Sequence, residues 1–135
     1  LVAKDLLDKN ILSHRKDFID EISGIIKEGR GITTTSDKWI KEEETLTIKL
    51  EWMSQILVDS IKFNSSSQIE SLNNDTDNIS RYLGKNTQIY KLHELLSKTN
   101  QLWSLFSQET NLRADYQLNN LFVDWEGYLG ISKKI

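Results

Sequence analysis

The chain has 135 residues, with 17 basic and 20 acidic side chains for a net charge of −3, no cysteine, no proline and two histidines, His14 and His93. This excludes disulfides, thiolate metal sites and cysteine nucleophiles, proline-rich architectures, and a surface devoted to nucleic acid, which needs a strongly basic face. A chain of this length buries roughly two-thirds of its unfolded surface, so it can form one core without covalent staples.

The sequence opens at Leu1 without an initiator Met and reads as a segment of a longer protein. No run approaches the ~18 apolar residues that span a bilayer, and no basic-then-apolar leader stands at the start. The Asn-x-Ser/Thr triplets at Asn64, Asn74 and Asn78 read as chance in a chain rich in these residues. The expectation is a cytoplasmic protein with no membrane contact.

Apolar residues recur at helical spacing, and no segment alternates with period two. Leu6 and Leu7 suggest a short first helix. Phe18, Ile22, Ile25 and Ile26 then form a stripe that stops at Gly29-Arg30-Gly31. A short helix carrying Trp39 and Ile40 is predicted between Ser36 and Glu44, with Ser36 or Asp37 as its cap. Glu42, Glu43 and Glu44 suit the positive end of the helix that follows. That helix bears Leu46, Leu50, Met53, Leu57 and Ile61 and ends near Phe63, before Asn64-Ser65-Ser66-Ser67. A short helix follows Asn74-Asp75 and ends at Gly84. Ile89, Leu92, Leu96, Trp103 and Phe106 mark a second long helix, capped by Asn86 or Thr87 and ending near Glu109. Leu118, Leu121, Phe122, Trp125 and Leu129 mark a third, with Asn111 as cap and Gly130 as stop.

The fold class expected is therefore all-α. It is a single compact bundle over residues 1–135 with about six or seven helices, three of them long and largely antiparallel, since the connections are short. Trp52, Trp103 and Trp125 are assigned to the core. Trp39, between Lys38 and Ile40, either packs inside or stands as an exposed anchor for a partner.

Sites of chemistry fail on spacing. Gly84-Lys85 is followed by Asn86 and lacks the earlier glycine of a phosphate loop; Gly29-x-Gly31 meets Thr34 where a dinucleotide fingerprint has glycine. Neither histidine has Glu three residues before it, as a di-iron bundle requires, and no Gly-x-Ser-x-Gly elbow occurs. Asp17, Asp20 and Glu21 read as a solvated acidic face. No catalytic, cofactor or metal residue is assigned, and a non-enzymatic interaction module is the reading left.

Four pieces of the chain then resemble one family in order and spacing. They are the helix Leu50-Glu51-Trp52-Met53 through Leu57, Asp59 and Lys62; the stretch Leu72-Asn73-Asn74-Asp75; the run Lys91-Leu92-His93-Glu94-Leu95-Leu96 to Asn100-Gln101-Leu102; and Asn111-Leu112-Arg113 followed by Leu118 to Trp125. Together they are similar to the C-terminal domain of the delta-prime subunit of the bacterial DNA polymerase III clamp loader. Tyr116 and Gln117 stand where that family is usually aliphatic, and Asp124 where it is often basic. The resemblance implies a helical domain that joins the gamma/tau and delta subunits in a five-member collar. Nucleotide, clamp and DNA contacts are carried by ATPase-type modules N-terminal to it. No cofactor and no direct nucleic-acid contact are then expected of this segment. Its subunit interface is sought at Trp39, Ile48, Phe63, Leu95 and Leu105, on second apolar flanks. The competing reading is a free-standing helical adaptor that holds an amphipathic peptide.

Overall fold

The computed structural model describes residues 2–28, 31–66, 70, 71, 73–108 and 114–129. These form six α-helices: α1 (Val2–Glu28), α2 (Ile32–Lys41), α3 (Leu46–Ser65), α4 (Asp77–Asn86), α5 (Ile89–Ser107) and α6 (Ala114–Leu129). Single 3₁₀ turns at Glu43–Thr45 and Asn74–Thr76 lead into α3 and α4. Among the described residues there is no strand, so the all-α bundle expected from periodicity is what forms.

Several boundaries move, each for a local reason. The two helices expected before Gly29 are one continuous helix of 27 residues, because nothing between Leu7 and Phe18 interrupts it. The next helix starts four residues earlier than Ser36. Gly31 adopts a left-handed conformation (φ 78°), and its carbonyl accepts the Thr35 N–H at 2.8 Å, so Ser36 and Asp37 lie inside α2 and cap nothing. The carboxylates at 42–44 do precede α3, Glu43 and Glu44 in the 3₁₀ turn and Glu42 just before it. Gly84 does not end α4, which continues to Asn86, and Gln88 rather than Asn86 or Thr87 occupies the cap of α5. Asn111 and Gly130 lie outside the described residues.

Helix α3 is the hub. Its buried side includes Leu50, Met53, Ile56, Leu57 and Phe63, an arc wide enough to meet α4 and α5 at once. Paired contacts fix the directions. Ser80 Oγ donates to the Ile56 carbonyl and Asn64 Nδ2 to the Gly84 carbonyl, so α4 runs parallel to α3. Asn64 also reaches the Thr87 carbonyl while Ser54 Oγ donates to Asn100 Oδ1 at 2.7 Å, so α5 returns antiparallel along α3. Helix α6 packs on α1, α2 and α5. The α5 core face is Leu92, Leu95, Thr99, Leu102 and Phe106. Thr99 is tolerated there because its hydroxyl donates to the Leu95 carbonyl (2.7 Å) and accepts from Trp125 Nε1 (3.2 Å). Thr99 and Leu95 thus take the place given to Trp103, which lies on the flank and is 37% exposed, a correction to its assignment as core.

Candidate subunit interface

Trp39 is inside. Its indole is fully buried, 5.8 Å from the Phe18 ring and 4.9 Å, edge to face, from Phe122. Its Nε1 donates to Glu21 Oε1 at 3.0 Å. Leu95 and Phe63 are buried in the same way, Phe63 beneath the Arg81 guanidinium at 4.3 Å. Of the five residues sought as an interface, these three are taken up by the chain's own core. Ile48 is half-buried, and Leu105, at 40% exposure, alone stands well out.

Around Trp39 the charges of α1, α2 and α3 interlock. Glu21 Oε2 lies 3.0 Å from Lys38 Nζ, with Asp17 3.4 Å from the same ammonium. The hydrogen bond that the Lys38 ammonium donates to Glu21 is the main reason the Lys38 pKa is raised. The acidic side of α1 is therefore partly a binding surface for α2, which periodicity alone cannot show. Glu42 Oε2 sits 2.8 Å from His14 Nδ1 and 3.5 Å from Lys49 Nζ. Lys49 is buried with its ammonium 5.3 Å from the centre of the Trp39 ring. Also on α1, Arg15 makes two hydrogen bonds to Asp75 (2.7 and 2.9 Å) and stacks over Phe18 and Trp52. That pairing holds the Asp75 carboxyl below the usual carboxylate range.

Burial lowers the Lys49 pKa, with Glu42 opposing the shift. The sign follows from linkage. Below the lowered folded-state pKa both states carry the proton and the folded state bears the whole desolvation penalty. Between that value and the unfolded ~10.4 the native lysine sheds its proton first, and stability contributed at this site rises with pH. Lys49→Met alone would take a partner from Glu42, so both charges are removed together: we expect Lys49→Met with Glu42→Gln to stabilise the fold by about 1 kcal/mol at pH 7, since an apolar replacement of a buried ion pair is often neutral or stabilising. The gain should shrink as the pH approaches 10.5. Urea denaturation at pH 7 and pH 10 checks this; a loss of stability at pH 7 would mean the ion pair outweighs the burial.

Among the described residues no three His, Asp or Glu side chains gather as a metal site, and no helix is long and apolar enough to cross a membrane. What the surface offers is apolar relief. A groove of about 240 Å³ between α1 and α4 is lined by Ile26, Ile79, Tyr82 and Leu83. A second, of about 310 Å³, runs between α5 and α6 past Leu102, Leu105, Gln117, Asn120 and Leu121, with the Lys98–Asp124 pair (3.1 Å) at one end. Next to it Tyr116 and Val123 stand out from α6 at 56% and 48% exposure. Their signal was present in the sequence: both fall off the buried stripe of Leu118, Leu121, Phe122, Trp125 and Leu129 and are seven residues apart.

The sequence model of the family described as "DNA polymerase III, delta subunit, C terminal" matches residues 9–127. No curated protein and no solved structure matches significantly. The matched span starts within α1 and ends within α6, so it takes in the buried core except Leu129, and both grooves. The chain belongs to the family of C-terminal domains of the DNA polymerase III delta subunit.

Proposed function

We propose that this chain is the collar domain of a delta-prime-type clamp-loader subunit, acting in the bacterial cytoplasm. Membership of the family implies a part in clamp loading; the delta-prime type rests on the four sequence pieces from Leu50 to Trp125. In this reading residues 1–135 form one domain without catalytic activity. It binds the gamma/tau and delta subunits and holds their modules at fixed spacing while the clamp is opened. Nucleotide, clamp and DNA are handled by N-terminal ATPase-type modules. The observation that carries the reading is that the core is complete without Leu105, Tyr116 and Val123, which remain exposed on α5 and α6, Leu105 in the wall of the groove between them. Single exposed apolar side chains are ordinary, whereas several on two adjacent helices, one of them lining a groove, favour a docking surface. An interface of ~800 Å² per partner is the ordinary size for such a contact.

The test is to mix the folded chain at tens of micromolar with the gamma/tau or the delta C-terminal domain of the same organism and follow sedimentation. A stoichiometric heterocomplex with at least one of them is expected. A folded chain that joins neither would overturn the collar role. The apolar α1–α4 groove is the feature a peptide-holding adaptor would use; an ATPase-like module upstream of Leu1 favours the collar over that reading.

A further inference from the structure

The six helices sort into two bodies. Helices α3, α4 and α5 follow one another in the chain, and α3 packs most extensively on α4 and α5. The three are tied closely. A Cβ at Gly84 would fall 2.5 Å from the Ser60 carbonyl oxygen, and Ser80, Asn64 and Ser54 hydrogen-bond from helix to helix. Helices α1 and α2 precede this block and α6 follows it, yet α6 packs on both of them. Their body has its own centre. Trp39 of α2 lies 5.8 Å from Phe18 of α1 and 4.9 Å from Phe122 of α6, and its indole N–H goes to Glu21 of α1. Thr33 meets Asn119 at 3.5 Å although 86 residues separate them.

The line between the bodies is marked by gaps. Both apolar grooves lie on it, one between α1 and α4, the other between α5 and α6. Arg15–Asp75 and Lys98–Asp124 bridge it, each with a solvent-exposed carboxylate, so salt weakens both. Inside, the line carries the buried Lys49 ammonium against the Trp39 ring, next to the apolar contact of Phe18 with Trp52 at 5.3 Å and the Trp125–Thr99 hydrogen bond. Topology decides which body yields first. When α1, α2 and α6 open, α3, α4 and α5 keep all their packing on one another. In the reverse order α1, α2 and α6 would be left closing a long loose loop, an entropic cost with little return.

We propose that α1, α2 and α6 open by local unfolding and reclose as one unit while α3, α4 and α5 stay packed. The α5–α6 groove takes one wall from each body, Leu105 from one and Leu121 from the other, so it exists only in the closed form, whichever partner it receives. The test is amide hydrogen exchange of the full chain at pH 7 in rising sub-denaturing urea, which reads the opening equilibrium of each helix. The most protected amides of α1, α2 and α6 should share one opening equilibrium, about thirtyfold more favourable than that of α3, α4 and α5. Two variants give the signature. Ser80→Ala removes the bond to the Ile56 carbonyl, which the partly opened form still keeps. It should speed exchange in α3, α4 and α5 by about fivefold and leave α1, α2 and α6 unchanged. Trp39→Phe weakens the body that is lost in both the partial and the complete opening. It should speed both sets by the same factor, about tenfold. A single opening shared by all six helices overturns the proposal, as does Ser80→Ala speeding both sets alike. Exchange in which α1 or α6 opens without the other overturns it equally.

Discussion

Gly84→Ala should destabilise the domain by about 2–3 kcal/mol, lowering its thermal midpoint by roughly 8–10 °C. The sign runs against helix propensity, which favours alanine over glycine in a helix by about 1 kcal/mol. Packing decides it. The added methyl would lie 2.5 Å from the Ser60 carbonyl oxygen, 2.8 Å from Phe63 Cβ and 3.0 Å from the Asn64 amide nitrogen. Two of those atoms are α3 backbone and cannot swing aside, so α4 has to lift. Lifting strains the bonds that define the parallel pair: Ser80 to the Ile56 carbonyl at 3.3 Å and Asn64 to the Gly84 carbonyl at 3.0 Å. It also draws Arg81 off the Phe63 ring. Gly24→Ala is the control. Nothing lies within 4 Å of its Cβ position, so the same substitution should be neutral or gain up to about 1 kcal/mol. Urea denaturation followed by tryptophan fluorescence reads both. A Gly84→Ala domain as stable as wild type would mean that α3 and α4 are not in backbone contact.

The contrast between these glycines shows where sequence reading works and where it stops. Period is a property of one helix, so the stripes of α3 and α6 were legible: Leu50, Met53 and Leu57, and Leu118, Phe122 and Trp125, are all buried. Glycine as a helix stop is also a local rule. At Gly31 the left-handed φ of 78° serves the start of α2 rather than a stop, and at Gly84 the reason for glycine sits on another helix. The same limit explains Trp103. Its spacing from Leu96 is sound helical spacing, but which of two adjacent apolar flanks of α5 faces inward is set by α3 and α6. A hydrogen-bonded Thr99 at the centre of that face carries no apolar signal. Phe63 and Leu95 lie on second apolar flanks and are nonetheless buried, because α3 and α5 each meet neighbours on more than one side, while Leu105 on the same kind of flank stays exposed.

Trp39→Ala should have the largest effect of any single change, a loss of about 4 kcal/mol and a fall in thermal midpoint of more than 10 °C. Trp39 is where α1, α2, α3 and α6 meet. Phe18 and Phe122 pack on its ring, Lys49 of α3 lies 5.3 Å from it, and Glu21 accepts its N–H. Truncation opens a cavity among side chains that are themselves fully buried, which have little room to relax. It also removes the ring that faces the buried Lys49 ammonium. Trp39→Phe isolates the polar part. It keeps an aromatic ring between Phe18 and Phe122 but withdraws the donor from Glu21, for a loss of about 1–2 kcal/mol. Glu21 retains Lys38 at 3.0 Å, which keeps that loss small. The pair of variants discriminates between the two roles the sequence left open for this tryptophan. An exposed anchor truncated to alanine would leave a fully stable domain that fails to bind its partner subunit. A keystone truncated to alanine gives a domain whose denaturation midpoint collapses, and whose binding returns when it is assayed well below that midpoint. The second outcome is the one this packing requires; a Trp39→Ala domain of wild-type stability would contradict the burial of the indole.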